Sequence, residues 1–277
     1  AFGIGKYAAF VCSKLKAVFY ATLDENQESA FQGVAKLISF EDKDGEPYQA
    51  TGFYGKREKK QPIKDMNEVQ FLQQSNLFRT EPGTDIFIMG FDYRETWADE
   101  IKEAAINSFF SAIHHGSLEV VVDGVKIDSS TLATEIQKMK DASSKSSAIQ
   151  YFEVLTDPES HLFIEEDFSG LGEVKLFVGL KNHYNKITAM IRKTGMLIKE
   201  KPNYHIPMKY AAVLLINGTE FNKELKRVEN PTHTDWELKR KPDVKTIKKA
   251  LENLNNWIND AIISISPYED VKSFNVD

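Results

Sequence analysis

The chain has 277 residues, of which 42% are hydrophobic and 27% charged, and its formal net charge is −6 at pH 7. This length has room for two domains of ordinary size, and the negative charge argues against a generally basic nucleic-acid binder. The single cysteine, Cys12, excludes an internal disulfide, and its apolar surroundings predict a packing role. No apolar run approaches about 20 residues and nothing resembles a secretion signal. We therefore expect a cytoplasmic protein with no membrane partner.

The first third of the chain predicts a short helix followed by antiparallel strands. Runs rich in β-branched and aromatic residues, separated by polar turns, indicate strands at 17–23, 30–40 and 48–54. A short helix is predicted over 65–77, and a Pro-Gly turn leads into a buried strand that starts at Ile86.

The remainder predicts helices and strands without regular alternation. Apolar spacing of three to four residues indicates helices at 97–115, capped by Thr96, and at 128–140, 221–228 and 243–263. Strands are predicted at 118–122, 125–127, 151–155, 172–180, 186–192 and 210–216. Segregated strands and helices of this kind favour an α+β architecture.

The chain opens on two glycines, Gly3 and Gly5, directly before a small-residue helix. Glycine lacks Cβ and tolerates positive φ, so the backbone amides there can approach an anion closely. The first helical turn adds free N–H groups and the positive end of the helix dipole. The pattern predicts a phosphate-binding loop, and a packed turn entering a buried helix is the alternative.

Two segments together resemble the GHKL, or Bergerat-fold, ATPases, which include the ninety-kilodalton heat-shock chaperones, gyrase B subunits, MutL proteins and histidine kinases. Phe2-Gly3-Ile4-Gly5-Lys6-Tyr7-Ala8-Ala9-Phe10 resembles that family's glycine box after the ATP lid. Gly83-Thr84-Asp85-Ile86-Phe87-Ile88 resembles its Gly-Thr strand, whose threonine lies against the base of the nucleotide. Residues 229–237 are also similar to a segment in a group of prokaryotic ATP-binding proteins of this type.

The resemblance implies that residues 1–93 are the C-terminal portion of an ATP-binding domain, an incomplete Bergerat-type α/β sandwich. Residues 94–277 would then form a transducer-like α/β domain. ATP is the implied ligand, with Thr84 on the side of the base. The other implied ATP-binding residues are Gly3, Ile4, Gly5, Lys6 and Tyr7.

In this family a basic residue from the transducer domain contacts the terminal phosphate. Arg192 or Lys193 is the residue that the resemblance implies for this role, and an ordinary solvated strand end is the alternative. ATP binding would be coupled to homodimer formation or to remodelling of a partner.

The family's Mg²⁺-binding Asn, general-base Glu and base-reading Asp are expected upstream of Ala1. Without that Glu and that metal, water activation and charge neutralisation of the phosphates are lost. We therefore expect the chain to be inactive alone, and the sequence leaves open whether the full-length parent is an ATP hydrolase.

Other groups of potentially functional residues give weaker signals. His233 with Asp235 or Glu237 has the composition of a base with an orienting carboxylate, although Pro231 and Trp236 favour a turn anchored by a buried indole. No His or Cys has zinc-ligand spacing, so no metal site is predicted within the chain. The alternative function is a non-catalytic module of the same fold that binds protein or nucleic acid, because the basic runs 56–60 and 239–241 suit phosphate backbones.

Overall fold

The computed structural model describes residues 5–75, 77–238 and 244–266. The chain divides into two compact units, one running through Arg94 and the other starting at Glu95. Helices accompany sheets in both units, so the predicted α+β fold class is confirmed. Whether the units are an ATP-binding and a transducer domain stays a prediction.

Unit 1 is built on a four-stranded antiparallel sheet with the strand order β5-β2-β1-β6. Its elements are α1 (Gly5–Val11), β1 (Ala17–Leu23), β2 (Ser29–Lys36), β3 (Phe40–Glu41), β4 (Pro47–Tyr48), β5 (Thr51–Tyr54), α2 (Gln70–Ser75) and β6 (Gly83–Ile88). The strand predicted over 30–40 ends at Lys36, and β3 and β4 form a separate two-stranded ribbon.

The two faces of this sheet are covered differently. Because side chains alternate along a strand, Phe19, Ala21 and Phe87 share one face, where they pack with Phe31 and residues 63–72. The register places three cross-strand pairs on the other face: Val18 with Ile88, Tyr20 with Ile86, and Thr22 with Thr84. Val18 is fully buried there, and α1 contacts both β1 and β6. We therefore place α1 on the face that carries Thr84.

Unit 2 is a five-stranded sheet with helices on both faces. Its elements are α3 (Trp97–His114), β7 (Val120–Val122), β8 (Val125–Ile127), α4 (Leu132–Asp141), α5 (Ala148–Thr156), β9 (His161–Glu165), β10 (Val174–Gly179), β11 (Ile187–Arg192), β12 (Leu197–Pro202), β13 (Ala211–Ile216), α6 (Thr219–Val228) and α7 (Lys245–Ser264). The strand order is β12-β11-β13-β10-β9, in which β11 and β13 are parallel and the other neighbours antiparallel.

The central strand β13 explains why unit 2 has a core on each side. All six of its residues are buried. Ala212, Leu214 and Ile216 pack with residues of α6 and α7, whereas Ala211, Val213 and Leu215 pack with those of α3, α4 and α5. A strand covered on both faces is expected to be a continuous apolar run, which is how 210–216 was predicted.

One predicted strand was wrong, one predicted cap is right in position but not in its bonding, and two strands were not predicted. The strand predicted over 151–155 is the helix α5, whose buried Ala148, Tyr151 and Val154 follow a spacing of three. Thr96 does not cap α3 through its side chain but donates to Glu100 Oε1 at 2.6 Å. The strands β9 and β12 were not predicted, because edge strands mix polar and apolar residues and give a weak periodicity signal.

Candidate functional site

The glycine loop is only partly visible. Gly3 and Ile4 lie outside the described residues, as does the side chain of Lys6. Gly5 is the first residue of α1 and does not have positive φ. A Cβ added at Gly5 would meet no atom within 4 Å, and Tyr7 is about half exposed. No atom of the described residues therefore crowds the position of a Cβ at Gly5.

The far end of α1 is tied to the segment that follows β6. The buried Ser13 donates through Oγ to the carbonyl of Met89 at 2.5 Å. The backbone N–H of Lys14 donates to the Gly90 carbonyl at 2.8 Å, and the N–H of Asp92 donates to the Cys12 carbonyl at 2.9 Å. These bonds connect the glycine-led helix to the Gly-Thr strand.

The predicted packing role of Cys12 is wrong, because its side chain is exposed. Cys12 follows the last residue of α1, Val11, which is itself 74% exposed. The apolar surroundings in the sequence thus belong to a short helix end that faces solvent.

Thr84 lies on an accessible part of its sheet face. It pairs with Thr22 of β1 and is exposed, as is the next residue on the same face, Ile86. The neighbour Asp85 points to the opposite face and forms an ion pair with Arg79. The Thr84 hydroxyl therefore has room for a ligand on the face that carries α1.

Arg192, at the end of β11, is held by a buried carboxylate. Its Nη1 donates to both oxygens of Glu229, at 2.8 and 3.2 Å, and its Nε donates to Thr194 Oγ1 at 3.0 Å. The Glu229 side chain is only 5% exposed. Arg192 would have to leave a charge-assisted pair with a buried partner before it could contact a phosphate. Its described contacts are those of an anchor, and its role as a phosphate sensor stays a prediction.

Lys193 is the less restrained of the two candidate sensors. Its Nζ donates to Thr219 Oγ1 at 3.0 Å, and its backbone N–H donates to Asn222 Oδ1 at 2.9 Å, both on α6. In the described ranges its ammonium has no carboxylate partner. A neutral hydroxyl is a weaker partner than a carboxylate, so an incoming anion would displace Lys193 more easily than Arg192.

The turn between β11 and β12 fixes the position of both candidates. Gly195 has a φ of +77° and donates its N–H to the Arg192 carbonyl at 2.8 Å. A Cβ added at Gly195 would lie 2.5 Å from Ala112 Cβ and 2.8 Å from Ala112 Cα. Glycine is therefore required both by the left-handed conformation and by the close approach to α3.

Sequence reasoning missed the carboxylate that organises this region. His233 contacts Glu229 Oε1 through Nδ1, four residues back along the chain, so Arg192 and His233 share one carboxylate. Asp235, which the sequence offered as a partner of His233, instead accepts from Lys199 Nζ at 2.6 Å. The available sequence signal for this contact was that Glu229 precedes His233 by four residues.

The turn anchored by a buried indole, the other interpretation of this segment, is confirmed. Trp236 is 8% exposed, and its backbone bridges to Glu229. His233 has a φ of +58°, an uncommon conformation for a residue other than glycine. With Thr232 and Thr234 it borders a cavity of about 600 Å³ that has a mixed polar and apolar lining.

No family model matches the chain, and no curated protein matches it. Across the described residues, no group of three or more His, Cys, Asp or Glu side chains is arranged to hold a metal ion. None of the helices in the same ranges has both the length and the apolar content to cross a membrane.

Proposed function

We propose that the chain is part of a GHKL-type ATP-binding protein, and that residues 1–93 contribute to its nucleotide site. The proposal is carried by the contacts of α1 with both β1 and β6 and by the burial of Val18, from which we infer that α1 covers the sheet face that carries Thr84. In the family that the sequence resembles, the glycine box and the Gly-Thr strand serve the same nucleotide. A helix and a strand on opposite faces could not share a ligand.

Accessibility supports the same proposal. Gly5 has open space around its Cα, and Thr84 is exposed on the face that carries α1. A nucleotide site needs a concave, reachable surface with a few polar groups. Backbone amides near Gly5 would bind phosphate, and the Thr84 hydroxyl would contact the base region.

Lys193 is the residue that we propose for contact with the terminal phosphate. Among the described residues its ammonium has only the Thr219 hydroxyl to release, whereas Arg192 would leave Glu229 buried with one partner fewer. Mg²⁺ would accompany ATP. The proposal includes nucleotide-dependent homodimer formation and a cytoplasmic location, which the single cysteine favours.

Isothermal titration of a non-hydrolysable ATP analogue with Mg²⁺, into the protein at its full natural length, tests the proposal. We expect a dissociation constant in the micromolar range. Gly5→Asp should abolish binding by placing a negative charge beside the phosphates, since the space there accepts the side chain without a clash. Val11→Asp is the matched control, because it adds the same charge at the exposed far end of α1.

Two outcomes would contradict the proposal. If no heat is measured at millimolar nucleotide, the alternative of a non-catalytic interaction module becomes the better account. If Gly5→Asp and Val11→Asp weaken binding equally, the nucleotide binds elsewhere than at the start of α1.

A further inference from the structure

The two edge strands of the unit 2 sheet differ in how they are protected against pairing with a strand from another chain. The edge strand β12 contains Lys199, Glu200, Lys201 and Pro202, and its pairing with β11 is interrupted by a register shift. Charged residues, proline and irregular pairing are the features by which natural proteins prevent an edge strand from adding another strand. The β12 edge is thus closed to a partner.

The opposite edge strand, β9, has neither a proline nor an interrupted pairing with its neighbour. Its sequence is His161-Leu162-Phe163-Ile164-Glu165, with charge confined to the ends. Leu162 and Ile164 are 48% and 50% exposed and lie on the same face. In the part of the chain that the structure describes, the β9 backbone is bonded only to β10. An exposed apolar edge of this kind is a template for pairing.

The residues of β9 are complementary to themselves in an antiparallel arrangement. When the strand meets a second copy around a twofold axis beside Phe163, His161 lies opposite Glu165 and Leu162 lies opposite Ile164. A twofold axis perpendicular to the sheet keeps side chains on their own face. The aliphatic side chains therefore meet one another, and each end of the strand brings an imidazole to a carboxylate.

The geometry points to a homodimer in which β9 pairs with β9 of a second copy of this chain, so that two five-stranded sheets become one. This surface belongs to unit 2 alone and does not depend on the proposed nucleotide site. Because the polar ends and the apolar middle of β9 each match their counterparts when the strand meets itself, a second copy of this chain is favoured over an unrelated strand.

A contact of five residues from each copy is small. It buries less than the area that is typical of stable complexes, so the dimer should be weak, with a dissociation constant on the order of 10–100 μM. Association should be the same with and without nucleotide, which separates it from the nucleotide-dependent dimer.

Sedimentation equilibrium of the whole chain without nucleotide provides the first test. Ile164→Lys places two charges opposite Leu162 in each dimer and should raise the dissociation constant at least about tenfold. Val121→Lys is the matched control, because Val121 is an exposed strand residue elsewhere in unit 2, 58% exposed. It should leave the dissociation constant unchanged.

Disulfide trapping tests the register and does not rely on Ile164→Lys folding normally. In a Cys12→Ser background, His161→Cys with Glu165→Cys places two cysteines opposite each other. Antiparallel partners are about 4.5–5.5 Å apart between Cα atoms, which suits a disulfide. Each single variant is a control, because a cysteine and its own copy in the second chain would be roughly 13 Å apart, too far for a disulfide.

The expected result is a covalent dimer from the double variant and little from either single variant. The inference would be overturned by a chain that stays monomeric to about 0.2 mM. It would also be overturned by a dimer that Ile164→Lys does not weaken, or by single variants that cross-link as well as the double one.

Discussion

At the residue scale, the buried carboxylate of Glu229 is shared by two side chains, those of Arg192 and His233. Arg192→Met would leave this 5% exposed carboxylate with His233 alone. Removing one partner of a buried pair costs more than the pair itself contributes, because a charge remains buried and under-compensated. We expect the free energy of unfolding, measured in urea, to fall by about 2–4 kcal/mol.

Two further variants separate this cause from a general loss of packing. Arg227→Met removes an ion pair with Glu224 from a side chain that is 53% exposed, and it should cost at most about 0.5 kcal/mol. Adding Glu229→Gln to Arg192→Met removes the stranded charge, so the double variant should be more stable than Arg192→Met. A double variant that is less stable would show that the charge is not the cause.

His114, in the last turn of α3, leads to a pH-dependent prediction. Burial, and then the positive charge of His115, lower the pKa of His114. Below the unfolded value of about 6.5, the unfolded chain therefore takes up a proton that the folded chain resists, and stability is lost as the pH falls. Relative to His114→Gln, the natural protein should become less stable between about pH 8 and pH 5.5.

Urea unfolding of the two proteins across this pH range is the measurement for His114. Because both carry the same other titratable groups, their difference isolates His114. The burial argument would be contradicted if the difference in the free energy of unfolding between the two proteins were independent of pH. It would also be contradicted if that difference shifted in favour of the natural protein at low pH.

At the scale of elements, the turn between β11 and β12 is the most constrained connection near the candidate sensor residues. Gly195→Ala adds a Cβ that collides with Ala112 on α3, in a backbone conformation that already disfavours a side chain. We expect the free energy of unfolding to fall by about 3–4 kcal/mol. Gly124→Ala is matched in φ, at +75° against +77°, but has open space around it. It should cost only about 1 kcal/mol, so equal losses would mean that the contact with α3 adds nothing.

Elements with a strong local signal were predictable, and elements defined by distant partners were not. The sequence predicted β1 over 17–23 as the structure has it, because an apolar run ends in a polar turn. The helix α5 was taken for a strand, since its aromatic and β-branched residues favour strands and only burial reveals the helical spacing. The pairing of Arg192 with Glu229 joins two elements far apart in sequence, so no local pattern contains it.

The candidate nucleotide site likewise combines features that the sequence predicted with features that only the folded structure defines. The pattern of apolar residues predicted a strand only from Ile86, and the family resemblance extended it to Thr84, which is exposed in β6. Which face α1 covers depends on the register between β1 and β6, a property of the folded sheet. Binding of ATP itself stays a prediction, carried by resemblance and by this placement.

At the scale of the whole molecule, the two units should differ in local stability. The sheet of unit 2 has a large apolar cluster on each face, whereas in unit 1 the described buried cluster lies on one face and is smaller. Regions with fewer buried apolar contacts open with a lower free energy. Hydrogen exchange of the whole chain should therefore show slower amides in β13 than in β1.

The comparison of β1 with β13 is a matched one. Each is paired on both sides, β1 with β2 and β6, and β13 with β10 and β11, so backbone hydrogen bonding does not distinguish them. A difference in exchange then reports packing. We expect the free energy of opening to be at least about 2 kcal/mol higher for β13. Equal protection of the two strands would mean that unit 1 gains stability from contacts beyond its described core. If bound nucleotide raised the protection of β1 and not that of β13, the nucleotide would be one source of that stability.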